Sequence, residues 1–202
     1  MENFGIYVII TKPVLSYREI AEICVRNEVT MLQLREKHLT DRQLLQAARE
    51  IISITKGTKT NFVINDRPDI AMLCNADYLH LGQTDLTISE ARKIVGKKIK
   101  IGLSTHSIQQ AQDAISQKPD YIGFGPVFPT TTKIIPDPTV GTKNLQTVLK
   151  FAEIPVIAIG GIFPGNIDEV LQVGAKNLCL VRHFMETSDF ENRLKKIKEK
   201  MR

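Results

Sequence analysis

Two basic side chains lie close together in the stretch QLREK, where they alternate with other residue types. Gln33, Arg35 and Lys37 fall at every second position, so they share one face if the stretch is a strand. Cations on the face of a buried strand are unfavourable unless they meet an anion. An ion pair with Asp66 or Glu36 would satisfy them, but their position at the end of a strand favours a binding site for an anionic ligand.

Carboxylates follow the next two apolar runs of the chain. The stretch NDR supplies Asn65 and Asp66, and the stretch HLGQTD supplies His80 and Asp85. Since the ends of neighbouring parallel strands meet, Asp66 and Asp85 are expected to lie together. Paired carboxylates repel each other and suit Mg²⁺, which needs one or two carboxylates besides water and phosphate oxygens. Considered alone, Asp85 would be a helix cap or turn residue, and His80 is interpreted as a satisfied histidine inside a barrel.

Further polar groups follow the later apolar runs. The stretch GLSTHS offers Ser104 and His106, and AIGGI offers Gly160 and Gly161, whose backbone amides could bind a phosphate. The stretch GPVFPTTTK ends in hydroxyl groups and a lysine. Together these groups predict one rim that holds a Mg²⁺-diphosphate group and a separate monophosphate. Loss of diphosphate from carbon, assisted by the metal and the cations, is the reaction that such a rim favours.

Eight short apolar runs must position these groups, and amphipathic stretches separate the runs. Four of those stretches begin with capping-box spacing, in Ser16–Glu19, Thr40–Gln43, Thr87–Glu90 and Ser107–Gln110. The alternation predicts an α/β fold, a single (β/α)₈ TIM barrel over residues 1–202, with its chemistry at the C-terminal ends of the strands. An open doubly wound sheet is the alternative, and the lack of a G-x-G-x-x-G or P-loop motif weakens it. The predicted strands are 5–10, 31–35, 61–65, 78–82, 100–104, 121–125, 155–160 and 177–181.

Composition limits the class of protein. The chain has 202 residues, of which 43% are hydrophobic and 24% charged, as in an ordinary globular protein. No run of 18 apolar residues and no basic leader is present, so we expect a cytoplasmic protein without a membrane span. The net charge is +5, and the basic residues are dispersed along the chain. This distribution favours anionic small molecules over nucleic acid as partners. Three widely spaced cysteines predict buried free thiols, and a homo-oligomer is possible.

The stretches QLREK, NDR, LGQTD, GLSTH, GPVFPTTTK and AIGG resemble, in order and spacing, the thiamine phosphate synthase family. The resemblance spans nearly the whole chain. It implies an enzyme that joins 4-amino-2-methyl-5-hydroxymethylpyrimidine diphosphate to 4-methyl-5-(2-phosphoethyl)thiazole, with diphosphate leaving first in a dissociative step. The products are thiamine phosphate and diphosphate.

The resemblance also implies roles for individual residues. Asp66 and Asp85 would bind Mg²⁺, and Arg35, Lys37 and Lys133 would assist catalysis. The pyrimidine diphosphate would contact Gln33, Arg35, Lys37, Asn65, Ser104 and Lys133. The thiazole phosphate would contact Thr130, Thr131, Thr132, Gly161, Val181 and Arg182. The family often has a serine where Arg182 stands, so the arginine either binds the phosphate by its side chain or leaves only a backbone contact.

The connection from Thr130 to Gly141 is broken by prolines and is interpreted as a lid over a reactive intermediate. Three other functions are weighed against the synthase. A thiazole tautomerase on the same barrel would use His106 as acid and base, but it would leave Lys37, Asp66, Asp85 and Lys133 without a role. A catalytically silent regulatory barrel should have lost a charged rim residue. A phosphosugar isomerase would explain the Gly-Gly pair but not the paired aspartates.

Overall fold

The computed structural model describes residues 3–130 and 137–202, and these form a closed barrel of parallel strands surrounded by helices. The strands pair in chain order from first to last. A parallel bridge between Ile6 and Leu178 joins the start of the first strand to the last strand. The strands are β1 (Tyr7–Ile10), β2 (Met31–Leu34), β3 (Asn61–Asn65), β4 (Tyr78–Leu81), β5 (Lys100–Thr105), β6 (Tyr121–Phe124), β7 (Val156–Ile159) and β8 (Asn177–Cys179).

The predicted TIM barrel is confirmed, since helices alternate with these strands. They are α1 (Tyr17–Arg26), α2 (Asp41–Thr55), α3 (Pro68–Cys74), α4 (Ile88–Val95), α5 (Ile108–Ser116), α6 (Gly141–Phe151), α7 (Ile167–Gln172), α8 (Val181–Met185) and α9 (Phe190–Lys200). No helix within the described residues is long and apolar enough to cross a membrane. The assignment of the whole chain to one domain stays a prediction.

Two details of the expected elements were wrong. Val181 was expected in the last strand but is the first residue of α8. The capping boxes at Ser16, Thr40 and Thr87 are complete, whereas the box at Ser107 is only half formed. The Ser107 hydroxyl accepts from the Gln110 amide at 3.1 Å, but the Gln110 side chain accepts from the His106 amide instead of the cap. The amide of His106, at the pocket, is thereby satisfied by α5.

The apolar core has two layers, as expected for a barrel. The larger layer lies between the sheet and the helices. The smaller layer fills the barrel interior and contains Phe4, Tyr7, Tyr78 and Tyr121. Gly102 makes room for one of these rings, because a Cβ atom there would lie 2.1 Å from the Tyr121 ring. The three cysteines are buried, as predicted.

Candidate active site

A pocket opens at the C-terminal ends of the strands, where the sequence predicted the site. It holds about 750 Å³ of empty space when its open mouth is included. Its lining includes five of the predicted substrate-binding residues besides its other polar groups. These five are Gln33, Arg35, Asn65, Ser104 and Thr130, and Val181 is a sixth predicted residue in the lining.

Arg35 is the main cation that faces the pocket. It directly follows β2, and its own amide donates to the Ile10 carbonyl at 2.9 Å, which ties this point of the chain to β1. Its side chain is half-buried. Among residues 3–130 and 137–202, no carboxylate lies within 4.0 Å of its guanidinium group, so Arg35 does not form the ion pair considered from the sequence, whereas Lys37 does form it with Asp66. A half-buried arginine without a carboxylate is suited to bind an anionic ligand.

Lys37, Asp66 and Asp85 form a charged cluster beside this pocket. The Lys37 ammonium lies 2.9 Å from the Asp66 carboxylate, and Asn65 connects the cluster to the pocket because it lines both cavities. Asp85 accepts from the Gly82 amide at 2.6 Å. Burial raises the pKa of Asp85, and its hydrogen bond with the Asp66 carboxyl raises it further. The two aspartates therefore lie together, as predicted.

The backbone at Asp66 aims its side chain at this cluster. Its φ angle of +62° lies in the left-handed region, which aspartate and asparagine tolerate better than most residues. The Asp66 amide donates to the His80 carbonyl at 2.8 Å, which continues the pairing of β3 with β4 by one residue. The turn therefore starts directly after the last strand bond.

The aspartate pair fits a Mg²⁺ ion in its chemistry. Two neighbouring carboxylates repel each other, as the raised pKa of Asp85 reflects, and a divalent cation would relieve that repulsion. No group of three or more potential metal ligands occurs in the described part of the chain. Mg²⁺ commonly takes one or two carboxylates and completes its shell with water and phosphate oxygens, so two carboxylates are sufficient.

Buried polar side chains run under the floor of the pocket. Gln33 Nε2 donates to the Tyr7 hydroxyl at 2.7 Å, and that hydroxyl lies 2.8 Å from the Tyr121 hydroxyl. His80 Nδ1 lies 2.9 Å from the Tyr121 hydroxyl, and His80 Nε2 lies 2.8 Å from Ser104 Oγ. The interpretation of His80 as a satisfied barrel histidine is confirmed, although its side chain also lines the pocket. The sequence analysis missed the two tyrosines.

His106 directly follows β5 and also lines the pocket. Its Nδ1 hydrogen bonds with the Gly125 carbonyl, which can only accept, so Nδ1 carries a proton. Its Nε2 lies 3.6 Å from the Asp137 carboxylate. Asp137 was not singled out in the sequence, because it lies 31 positions further along the chain and only the fold brings it to His106.

The predicted phosphate-binding residues lie around the ends of β7 and β8. Gly160 and Val181 line the pocket. Gly161 has a φ of +66°, and a Cβ there would lie 2.6 Å from the carbonyl oxygens of Phe128 and Pro129, so this position requires glycine.

The Arg182 side chain pairs with Glu186 at 3.1 Å and lies over the Phe163 ring. Thr131, Thr132 and Lys133 lie outside the described residues, as does half of the expected lid.

Glu36 is a further residue near the site that was not assigned to it from the sequence. Its side chain is buried, and its Oε1 accepts from the Lys12 amide at 2.8 Å and from the Tyr17 hydroxyl at 3.3 Å. Lys12 has a φ of +44°, and its neighbour Thr11 lines the pocket. Glu36 therefore holds the turn after β1 against the end of β2.

Comparison with known proteins identifies similar chains over almost the full length. The model of a family described as thiamine monophosphate synthase matches residues 6–184. The thiamine-phosphate synthase of Lawsonia intracellularis is 39% identical over 194 residues, which cover 94% of this chain and 89% of that protein. The thiamine-phosphate synthase of Halalkalibacterium halodurans is 38% identical over 193 residues, covering 94% and 91%. A solved structure of thiamine phosphate pyrophosphorylase from Pyrococcus furiosus superposes with a TM-score of 0.85 at 29% identity, covering 98% of this chain and 96% of the other.

Proposed function

The chain belongs to the thiamine monophosphate synthase family, and we propose that three adjoining subsites on its barrel rim carry out the synthesis. The reaction joins 4-amino-2-methyl-5-hydroxymethylpyrimidine diphosphate to 4-methyl-5-(2-phosphoethyl)thiazole and releases thiamine phosphate and diphosphate. The observation that carries the assignment of the subsites is the position of Arg35, a half-buried cation without a carboxylate partner among the described residues, next to the cluster of Lys37, Asp66 and Asp85.

The first subsite binds the diphosphate of the pyrimidine substrate. Arg35 offers a planar pair of donors that matches phosphate oxygens, and Lys37 can turn from Asp66 toward the ligand because its side chain is 61% exposed. Asn65 is buried where the two cavities meet and orients the diphosphate between them. Lys133 joins this group on the basis of the family resemblance. Together these donors stabilise the negative charge that builds on the departing diphosphate.

In the second subsite, Asp66 and Asp85 would hold Mg²⁺. When bound, the ion would neutralise charge on the diphosphate and make it a better leaving group. The protein's own contribution is to fix the two carboxylates, through the left-handed turn at Asp66 and the bond from the Gly82 amide to Asp85. Lys37 provides positive charge to Asp66 until the ligand arrives.

The third subsite receives the thiazole phosphate at the ends of β7 and β8. Gly160 and Val181 line the pocket, Gly161 directly follows Gly160, and α8 begins at Val181. The first amides of a helix have no partner inside the helix, so they can bind a phosphate. We assign Arg182 a backbone contact, because its side chain pairs with Glu186 and lies over Phe163. Thr130 at the pocket edge contacts the thiazole, together with Thr131 and Thr132.

The pocket between these subsites protects the intermediate. Departure of diphosphate before attack would leave a carbocation on the pyrimidine, which water would destroy. Ile9, Ile159 and Val181 line the space with apolar groups, and an apolar, closed space excludes water from a reactive intermediate. The cytoplasmic location and the homo-oligomer remain predictions.

A thiazole tautomerase is the second candidate, and His106 is the observation that favours it. The ring of His106 lies in the pocket between a backbone carbonyl and Asp137, an arrangement that could move a proton. Such an isomerase would need neither the aspartate pair nor Lys37.

One assay separates the two candidates. Purified protein is given both synthase substrates with Mg²⁺, and thiamine phosphate and diphosphate are measured. We expect both products in equal amounts, and we expect EDTA to stop the reaction until Mg²⁺ is restored. Turnover that persists without metal would contradict the role of Asp66 and Asp85. Failure to make thiamine phosphate, together with isomerisation of a thiazole carboxylate phosphate, would favour the tautomerase.

A further inference from the structure

A continuous line of hydrogen bonds connects two walls of the pocket through the interior of the barrel. The line runs from Gln33 through Tyr7, Tyr121 and His80 to Ser104, and each step is between 2.7 and 2.9 Å. Gln33, His80 and Ser104 line the pocket, whereas the two tyrosines lie below it in the inner apolar cluster. We call these five side chains the floor chain.

The hydrogens of the floor chain must all point in one direction. Burial raises the pKa of both Tyr7 and Tyr121, so each phenol keeps its proton and has one hydrogen to donate. Since Gln33 Nε2 donates to Tyr7, the Tyr7 hydrogen must go to Tyr121, and the Tyr121 hydrogen must go to His80 Nδ1. The proton of His80 is then on Nε2 and points at Ser104 Oγ.

The two ends of the floor chain therefore present opposite hydrogen-bonding groups, a donor at one end and an acceptor at the other. Ser104 Oγ accepts from His80, so its own hydrogen is available to a ligand. Gln33 Oε1 is buried and has no hydrogen-bond partner among the described residues. A buried acceptor without a partner is unfavourable unless a ligand supplies the missing donor. The pocket thus offers one acceptor and one donor at fixed places.

We propose that Tyr7 and Tyr121 are positioning residues that make the pocket select an aminopyrimidine over the corresponding oxopyrimidine. This inference rests on the proposed function. An amino group of the ligand donates to Gln33 Oε1, and a ring nitrogen accepts the Ser104 hydrogen. In the analogue with a 4-oxo group, the exocyclic oxygen is an acceptor that would face the Gln33 Oε1 acceptor. The neighbouring ring nitrogen carries a hydrogen, so the Ser104 hydrogen loses its acceptor.

A reversal of the floor chain would require several concerted changes. To present the opposite pattern, the Gln33 amide would have to rotate and all hydrogens of the chain would have to reverse together. Tyr121 is held by its fit over Gly102, by the Tyr7 ring at 5.9 Å and by stacking on the His80 ring at 5.5 Å. A rejected ligand leaves buried polar groups unpaired, and sites that bind this way discriminate strongly.

The test compares the selectivity of the wild type with that of Tyr121→Phe and Tyr7→Phe. The measured quantity is the ratio of kcat/KM for the 4-amino substrate to that for its 4-oxo analogue. We expect each variant to lower this ratio by roughly tenfold or more, because the donor and acceptor ends are no longer coupled. Tyr78→Phe is the matched control: it removes a hydroxyl from the same apolar cluster, but that hydroxyl bonds with Lys100 instead. Unchanged selectivity in Tyr121→Phe would overturn the proposal.

A second measurement needs no turnover. The ¹⁵N chemical shifts of His80 in the ligand-free wild type report which ring nitrogen carries the proton. We expect the proton on Nε2, and in Tyr121→Phe we expect this preference to weaken. A neutral His80 with its proton on Nδ1 would overturn the proposal. If the wild type makes no thiamine phosphate, the proposed function fails; if it does but the ratio does not move, only this inference fails.

Discussion

The Lys37 ammonium lies 2.9 Å from the Asp66 carboxylate, directly beside the second carboxylate of Asp85. The lysine and a bound divalent cation would therefore compete for the same side chain. When the cation and the diphosphate arrive together, Lys37 can exchange Asp66 for a phosphate oxygen without losing an anionic partner. In the proposed function, this salt bridge would be the resting position of a group that acts on the ligand.

Replacement of Asp66 by asparagine tests this arrangement. We expect Asp66→Asn to lower kcat by roughly 10²- to 10³-fold, the usual loss for one key electrostatic group, and to raise the Mg²⁺ concentration required for half-maximal rate. Asparagine tolerates the left-handed φ of this position, so the fold should be kept. The control is Asp69→Asn, since Asp69 is paired with Arg67 and does not line the pocket. Equal losses in both variants would contradict a specific role for Asp66.

Lys133 is the direct test of the connection after β6. We expect Lys133→Ala to lower the rate of diphosphate release by orders of magnitude, because the departing group would lose a positive charge. The rate is measured by the diphosphate released under single-turnover conditions. Lys97→Ala removes a lysine from the exposed turn before β5 and should leave the rate unchanged. Full synthase activity in Lys133→Ala would exclude this lysine from the reaction.

Gly102 is expected to be essential for the barrel interior. Alanine there would put a Cβ atom 2.1 Å from the Tyr121 ring, and overpacking of this kind lowers stability by about 1–3 kcal/mol or more. We expect a lower free energy of unfolding for Gly102→Ala in urea titrations. Gly165→Ala is the matched control, because nothing lies within 4 Å of its Cβ position and its φ is not in the left-handed region. A loss of similar size in both variants would contradict the packing argument.

Glu36 should make stability depend on pH in an unusual direction. Burial raises the pKa of this carboxyl above its ordinary value of 4.5, so the folded protein holds the proton more tightly than the unfolded chain. The contribution of the group is greatest below pH 4.5 and is lost as the pH rises through the raised pKa. We therefore expect the wild type to lose stability relative to Glu36→Gln as the pH rises from about 4.5.

The measurement is a series of urea unfolding curves for both proteins at increasing pH. Glu28→Gln provides a comparison of opposite sign, since a hydrogen bond from Lys59 lowers the pKa of Glu28. The wild type should gain stability relative to that variant as the pH rises through the acid range. A difference between wild type and Glu36→Gln that does not change with pH would contradict the effect of burial.

The sequence predicted those features that depend on neighbours along the chain or on neighbouring strands. Asp66 and Asp85 could be brought together in advance, because they follow β3 and β4, which are consecutive in the sheet. The bond between Tyr7 and Tyr121 could not, since β1 and β6 meet only across the barrel interior. A tyrosine on a strand looks like ordinary core, and only the packed interior shows what its hydroxyl touches.

The hydrogen bonds that side chains make at the ends of helices could not be predicted from the sequence either. Ser107 and Gln110 have the spacing of a capping box, but the Gln110 side chain binds the His106 amide instead. Two neighbouring amides compete for one carboxamide there, and the local spacing does not determine which of them is closer. The sequence position of Arg182 likewise did not reveal its contacts with Glu186 and Phe163.

The connection between β6 and α6 is closed at its base by the main chain alone. The Val140 amide donates to the Pro126 carbonyl at 2.8 Å, and the Gly141 amide donates to the Val127 carbonyl at 3.2 Å. These anchors do not depend on the side chains between them, so the connection can be replaced as a cassette while the barrel stays the same. Doubling the length of such a loop adds only about 0.6 kcal/mol of closure entropy. The barrel and this connection can therefore diversify separately, in evolution and in the laboratory.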